Sequence, residues 1–572
     1  MADGVGTTIV VLSLLATVLS VSSLEPLVTL RTGTVRGTVV DVAGTQVNAY
    51  LGIPYAKPPV GELRFKPPVP PDSWEGVYNA TERPTDCYQK LGLYNSPDRS
   101  EDCLYVNVWQ PPSRPHYGAV MVWIHGGGFI EGSGTGGDGR GSGQFLAATE
   151  HVLVVSMNYR LGALGFLALG TDDAPGNMGL LDQKLALQWV QDNIERFGGN
   201  PDRVTVFGNS AGGASAHFHL LSPSSSGLFR RAILQSGAAL SNWALTPRDV
   251  AMTRGRALAS TLGCRQPEVR DMVACLRTLS AEDIVDNQLE GFLEFGFTPV
   301  VDGNFLPSDP SELANRNRSN VDVMAGFTTN EGSIFVARET SLGFNPSTDS
   351  FINKTQYINT IQAFLPSLND FGVDAVTFEY TDWRGLENPA VYRDAAENMV
   401  GDYSFKCPVI EASLARARVG GKVYMYQFNH VLSNLPPPLW SGPFHTSEIA
   451  MVFGLPLDPS QSYTPDEDRL SRKMMGHWSN FAKTGDPNDS GSERWPAYNQ
   501  TDQSYIVLDT QTVRVAQWPR ARPCAFWREY LWQLQEQTDN LPCQQLTGGQ
   551  KLTARLPSLT YICLGILLTM CF

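Results

Sequence analysis

Ser210 lies in Arg203-Val204-Thr205-Val206-Phe207-Gly208-Asn209-Ser210-Ala211-Gly212-Gly213, a β-branched run that stops at a serine with a glycine two residues to either side. Such a serine can act as a nucleophile if the chain turns sharply from strand to helix at that point. Only residues without bulk, here Gly208 and Gly212, let the two backbone segments come close enough. The Ala211 amide would then face the space where an ester oxygen gains charge. A second source of amides is His125-Gly126-Gly127-Gly128-Phe129, where consecutive glycines follow an apolar run. Gly127 and Gly128 therefore join Ala211 as the expected oxyanion donors.

A serine hydroxyl needs a base, and the base needs an orienting carboxylate. In chains built on this kind of elbow the order is serine, acid, histidine. His430, His445 and His477 lie late enough to serve as base. His477 falls inside a helical pattern and His430 directly ends an apolar run. His445 occupies the loop Ser441-Gly442-Pro443-Phe444-His445-Thr446-Ser447-Glu448 and is the expected base. For the acid, Glu331 follows an apolar run and the polar turn Thr328-Thr329-Asn330, whereas Asp302 precedes Gly303 in what reads as a turn. The expected chemistry is acyl transfer: His445 takes the Ser210 proton, the alkoxide attacks an ester carbonyl, three amides hold the oxyanion, and water releases the acyl group.

These residues must be carried by regular elements. Apolar runs at Ala119–Ile124, Val152–Met157, Val204–Phe207, Ile233–Gln235, Val321–Gly326 and Val423–Phe428 read as buried strands. Between and after them, Gly179–Phe197, Ala211–Leu221, Glu467–Thr484 and Ala525–Gln537 carry helical apolar spacing. This alternation predicts an α/β fold with a mostly parallel twisted sheet and helices on both faces. No linker composition divides the middle of the 572 residues, so one large domain over residues 24–540 is expected. Hydrophobic residues at 42% supply a large core, and the net charge of −14 argues against nucleic acid as a partner. No cofactor and no metal is expected.

Both ends read as address signals. Ile9–Val21 is an apolar run with a small-residue exit, giving a secretory signal over residues 1–23, although its leading segment carries Asp3 and no Lys or Arg. Sequons at Asn79, Asn317, Asn353, Asn488 and Asn499 fit a secreted glycoprotein. In that setting the nine cysteines become informative. Cys87 with Cys103 and Cys264 with Cys275 would close short loops, leaving Cys407 and Cys524 for a long-range bridge. Cys543, in the polar tail 541–555, is left over and implies an interchain bond in a homodimer. The apolar stretch 556–572 follows a polar spacer and the small residues Thr547-Gly548-Gly549, the order of a removed signal for a glycolipid (GPI) anchor. An extracellular location at the cell surface, with the membrane reached through that anchor, is the expectation.

Longer motifs carry a resemblance. Glu101-Asp102-Cys103-Leu104-Tyr105-Val106-Asn107-Val108-Trp109, Ala174-Pro175-Gly176-Asn177, Phe197-Gly198-Gly199-Asn200-Pro201 and Leu228 to Gly237 join the elbow and the glycine run. Together these resemble the cholinesterase and carboxylesterase family of α/β-hydrolases from about Leu30 to Leu534. The resemblance implies the triad Ser210, Glu331 and His445, the oxyanion donors Gly127, Gly128 and Ala211, and the same three intrachain cysteine pairs. It also implies departures at the substrate site. Tyr94 stands where cholinesterases set a tryptophan against the quaternary ammonium, and Asn209 stands where they set an acid beside the nucleophile. Ile334 replaces an aromatic, while Trp243, Phe335, Tyr88 and Glu448 remain as lining groups. Leu293 and Phe295 occupy positions where acetylcholinesterases use two phenylalanines, which implies a wider acyl pocket. The expected function is therefore a serine esterase of cholinesterase type with a weakened choline site. A broad carboxylesterase is the alternative, and a neuroligin-like adhesion protein a more distant one, because such proteins lack triad residues.

Overall fold

Apolar runs of Val, Ile, Leu and Phe form the strands of one eleven-stranded sheet in the computed structural model. The structure describes residues 25–539 apart from 91–97, 113–117, 137–140, 289, 292–293, 435–438, 490–493 and 512. In chain order the strands of this sheet are β1 (Thr38–Val42), β2 (Thr45–Pro54), β3 (Tyr105–Gln110), β4 (Gly118–Ile124), β5 (Leu153–Met157), β6 (Gly199–Asn209), β7 (Arg231–Gln235), β8 (Asp322–Thr328), β9 (Val423–Phe428), β10 (Ser504–Leu508) and β11 (Arg514–Gln517). Across the sheet their order is β11-β10-β9-β8-β7-β6-β4-β5-β3-β2-β1. All neighbours from β10 to β5 pair in parallel. The outer strands β11, β3, β2 and β1 join antiparallel.

Continuous apolar strands are what a sheet covered on both faces requires. Successive residues of β4 divide between two cores: Val120, Val122 and Ile124 face one, Met121 and Trp123 the other. The first core is filled by helices α1 (Met178–Asn193) and α2 (Ala211–Leu221), through Leu187, Val190, Ala214 and Phe218, and it also receives residues of α3 (Val391–Gly401) and α4 (Cys407–Arg418). The second is filled by α5 (Pro465–Thr484), through Leu470, Met474, Trp478 and Phe481. Helix α5 starts where Thr464 and Glu467 form a capping box and stops at Gly485, whose φ of 78° ends the helical path.

Local sequence reading and structure differ at the ends of elements. The helix expected over Gly179–Phe197 is α-helical only as far as Asn193 and tightens into a 3-10 turn over Ile194–Phe197. The stretch expected as one helix near the end starts earlier, at Ala521, and passes through a π-helical turn at Phe526–Tyr530 before α6 (Leu531–Asp539). The edge strands are short or mixed in polarity, so their sequence carries no strong strand signal. Three disulfides form among the described residues, Cys87–Cys103, Cys264–Cys275 and Cys407–Cys524. The leader 1–23, Tyr94, Leu293, Cys543 and the tails 541–555 and 556–572 lie outside the described residues. Among the described residues no helix is long and apolar enough to cross a membrane.

Because β4, β6, β7, β8 and β9 run parallel, their carboxyl ends share one edge of the sheet. In open α/β sheets that edge is where ligands bind. Gly126–Gly128 follow β4, Ser210 follows β6, Glu331 follows β8 by one turn, and the His445 loop comes after β9.

Candidate active site

Ser210 sits at the junction of β6 and α2 with φ 58° and ψ −123°, a conformation that costs a non-glycine residue about 1–3 kcal/mol. The surroundings hold it there. The Ser210 amide donates to the Gln235 carbonyl at the end of β7 (2.8 Å), and its own carbonyl accepts from the Ala214 amide (2.9 Å). The neighbouring strand ends reach this point only because side chains are missing. A Cβ on Gly212 would strike the Ile124 carbonyl oxygen, and one on Gly237 would strike the Ser210 carbonyl. Ala211, fully buried, opens α2 directly after the serine, so its amide belongs to the helix N-terminus, where N–H groups project beyond the helix.

Glu331 is fully buried. Its Oε1 accepts from the Ser236 hydroxyl and the Thr328 amide, both at 2.6 Å, and its Oε2 lies 2.5 Å from His445 Nδ1. Burial alone would raise this carboxyl's pKa; the His445 imidazole, the Ser236 hydroxyl and the Thr328 amide outweigh it and hold the group below the ordinary glutamate range. The turn carrying Glu331 is fastened to the loop carrying His445. The Asn330 amide donates to the Pro443 carbonyl at 2.9 Å, and the Ser333 hydroxyl donates to the Ser441 carbonyl at 2.8 Å. His445 Nε2, the ring nitrogen not engaged by Glu331, is also buried.

His445 and Ser210 line one cavity of about 560 Å³ together with Gly127 and Gly128. Trp243, Phe295 and Phe335, expected at the substrate site, line it too. So does Phe405, which the sequence reading missed. Its ring lies 4.4 Å from the His445 imidazole, 4.9 Å from Phe335 and 5.7 Å from Trp243. Phe405 belongs to a π-helical turn, Asp402–Lys406, whose Ser404 carbonyl accepts the Trp243 indole N–H at 2.9 Å. Ser236 was also missed as a partner of Glu331, although it stands at the end of β7 inside a quoted motif.

Asn209 lines the cavity beside the nucleophile, and its amide donates to Glu448 Oε1 at 2.7 Å. Gln235 donates to the same oxygen at 3.1 Å. Glu448 is therefore a buried group behind Asn209, not part of the cavity wall, and burial followed by the nearby Glu331 charge pushes its pKa up to about 6. Tyr88 is likewise absent from this wall: it faces a separate small cavity, with the Arg99 guanidinium 4.8 Å from its ring.

Three other histidines and the rival acid have other engagements. His125 stacks on Tyr159 at 4.3 Å, and burial lowers its pKa to about 4, so the ring is neutral at pH 7. His430 bonds Glu467, His477 bonds the Pro487 carbonyl, and Asp302 accepts the Asn304 and Leu306 amides of its own turn.

An imidazole placed so, with Nδ1 on a buried carboxylate and Nε2 free of it, can take up a proton at Nε2 and have the resulting positive charge stabilised at Nδ1. Comparison with known proteins gives the family. Residues 24–527 match the family model described as "Carboxylesterase family". A cholinesterase of Mus musculus is 42% identical over 535 residues, covering 90% of this chain and 88% of that one. An acetylcholinesterase of Bungarus fasciatus is 43% identical over 538 residues, with the same two coverages of 90% and 88%. With the eleven-stranded sheet of an α/β-hydrolase and similarity running along nearly the whole chain, this protein belongs to the carboxylesterase family and is a serine-type carboxylic ester hydrolase of the cholinesterase and carboxylesterase kind.

Proposed function

We propose that Ser210, His445 and Glu331 hydrolyse carboxylic esters in the 560 Å³ cavity through an acyl-enzyme, with substrate preference of cholinesterase type. The observation that carries the reading is the buried 2.5 Å contact between Glu331 and His445, the histidine that shares the cavity wall with the strained Ser210. Glu331 fixes the imidazole with Nδ1–H toward itself, so Nε2 is the basic nitrogen. His445 takes the Ser210 proton as the hydroxyl oxygen attacks the ester carbonyl. The amides of Gly127, Gly128 and Ala211 receive the oxyanion, and the imidazolium returns its proton to the leaving alcohol. Water then repeats the sequence on the acyl-serine.

The acyl side of the cavity is bounded by Phe295, Trp243, Phe335 and Phe405; the wider acyl pocket rests on the sequence alone, since Leu293 lies outside the described residues. On the alcohol side Asn209 is neutral; Tyr94, which lies outside the described residues, stands by resemblance where a tryptophan would attract a cation more strongly. Choline esters with acetyl and butyryl groups are therefore accepted, with less advantage for the charged alcohol than a site bearing a carboxylate there would give. The neutral Asn209 also supports a second reading, a broad carboxylesterase. The setting we propose is extracellular: the leader 1–23 and the apolar stretch 556–572 removed, the domain 24–540 tethered by a lipid anchor attached within 541–555, and two copies joined through Cys543.

Turnover of acetylthiocholine, butyrylthiocholine and an uncharged isosteric ester by the secreted ectodomain tests the reading. Equal kcat/KM for the charged and uncharged esters would decide for the carboxylesterase. Ser210→Ala should lose at least about 10⁴-fold in kcat, and unchanged activity would remove the mechanism.

A further inference from the structure

Behind Glu331 lies a buried ionic group that ester chemistry does not use. Glu397 on α3 is 3% exposed, Asp402 is 0% and Lys406 is 2%. Arg520 reaches in from the C-terminal segment. The two cations pair with Asp402: Lys406 Nζ lies 3.5 Å from its Oδ1, and the Arg520 Nε donates to the same oxygen at 2.8 Å. The hydrogen bonds of Glu397 go elsewhere. Its Oε1 accepts from the Gly332 amide at 3.3 Å, and it bonds the Asn330 side chain. Those two residues flank Glu331 on either side.

A carboxylate is costly to bury, and burial raises the Glu397 pKa, with Lys406 opposing. A group placed at that cost has a geometric consequence here. Gly332 runs so close to α3 that a Cβ on it would strike the Glu397 carbonyl oxygen. On the other side, the Asn330 amide binds the Pro443 carbonyl, two residues before His445. Glu397 thus holds both ends of a three-residue turn, and that turn is fastened in its middle and at one end to the histidine loop.

We infer that Glu397 is a positioning residue: it fixes the turn Asn330–Gly332 so that Glu331 meets His445 Nδ1 at 2.5 Å. The inference rests on the triad reading above. It acts through geometry, because a misplacement of about 1 Å in an orienting group can cost on the order of 10²-fold in rate.

The test is steady-state kinetics of the secreted enzyme with butyrylthiocholine, each preparation normalised by stoichiometric titration of its reactive serine with a fluorophosphonate. Glu397→Ala should lower kcat per titrated site by about tenfold or more, with KM held within about threefold. Glu397→Gln, which keeps an acceptor oxygen for the Gly332 amide, should recover most of that loss. A Glu397→Ala enzyme with reduced yield or Tm but wild-type kcat per site overturns the inference. Equal loss in the Ala and Gln variants assigns the effect to charge and overturns it too. If Glu397→Ala yields no enzyme, Asn330→Ala removes the other grip and should show the same loss in kcat; wild-type kcat there overturns the inference. Failure of the triad reading itself has a different signature, an active Ser210→Ala.

Discussion

Glu331 and Glu448 are both buried, and the Glu331 charge acts on Glu448, yet their surroundings drive them in opposite directions. Glu331 accepts from a hydroxyl, an amide and an imidazole and stays ionised. Glu448 accepts from two side-chain amides, but burial and then the Glu331 charge outweigh them and push its pKa up to about 6. The same accounting applies at Glu467, the capping residue of α5. Burial opposes its ionisation, but the amides and hydroxyls of Ser433 and Thr464 outweigh burial and hold its pKa at about 2. A depressed carboxyl stabilises the fold above its unfolded pKa and loses that contribution as pH falls through its folded pKa. Glu467→Gln should therefore lower stability by about 2 kcal/mol at pH 7. Its Tm deficit relative to wild type should shrink as the pH is lowered from about 4.5 towards 2. A deficit constant across that range in calorimetric scans would refute the charge argument.

At the scale of elements, the parallel strands deliver functional side chains to one edge, but the finer shaping comes from an irregular element. The π-helical turn at Asp402–Lys406 turns Phe405 onto His445 and offers the Ser404 carbonyl to Trp243. Strands and amphipathic helices declare themselves through the period of their apolar residues. A π turn is a single extra residue in a helix and leaves no period, so no pattern in the sequence marks Phe405 as a cavity residue. Since Phe405 lines the cavity beside His445, on the side proposed to take the acyl group, its truncation should move the limit on acyl length. Phe405→Val is expected to raise the kcat/KM ratio of hexanoyl to acetyl thiocholine by about tenfold, the size of effect that a few methylenes in an apolar pocket produce. Parallel acyl profiles for variant and wild type would show that Phe405 does not set the limit.

At the scale of the whole molecule, the Cys407–Cys524 bridge closes a loop of sequence separation 117 and ties α4 to the C-terminal segment that supplies Arg520. A loop of that length is worth about 3–5 kcal/mol through the unfolded state. Replacing both cysteines by serine should lower the denaturant midpoint correspondingly, whereas replacing the Cys264–Cys275 pair, with a separation of 11, should cost less. The sequons also separate at this scale. Asn79, Asn353 and Asn499 are exposed. Asn317 donates its side-chain amide to the Leu220 carbonyl at 2.6 Å, and Asn488 donates to the Trp495 carbonyl at 3.0 Å. Glycopeptide mass spectrometry of the secreted protein should find the three exposed sites modified and the two whose amides donate to backbone carbonyls largely bare; full occupancy at Asn488 would contradict this.

What the sequence determined by itself is whatever short-range sterics and periodicity dictate. The elbow around Ser210 needs Gly208 and Gly212, the glycine run follows a strand, and the alternation of strands and helices implies the sheet. These depend on neighbours a few residues away. Which acid meets which histidine was narrowed by chain order but is a matter of tertiary structure, because Glu331 and His445 lie 114 positions apart and touch only when β8 and β9 are neighbours in the sheet. The same holds for Ser236 and Glu397 around the acid, for the withdrawal of Glu448 behind Asn209, and for the removal of Tyr88 from the cavity. Burial and hydrogen bonding between distant segments set those roles, and neither exists until the chain has folded.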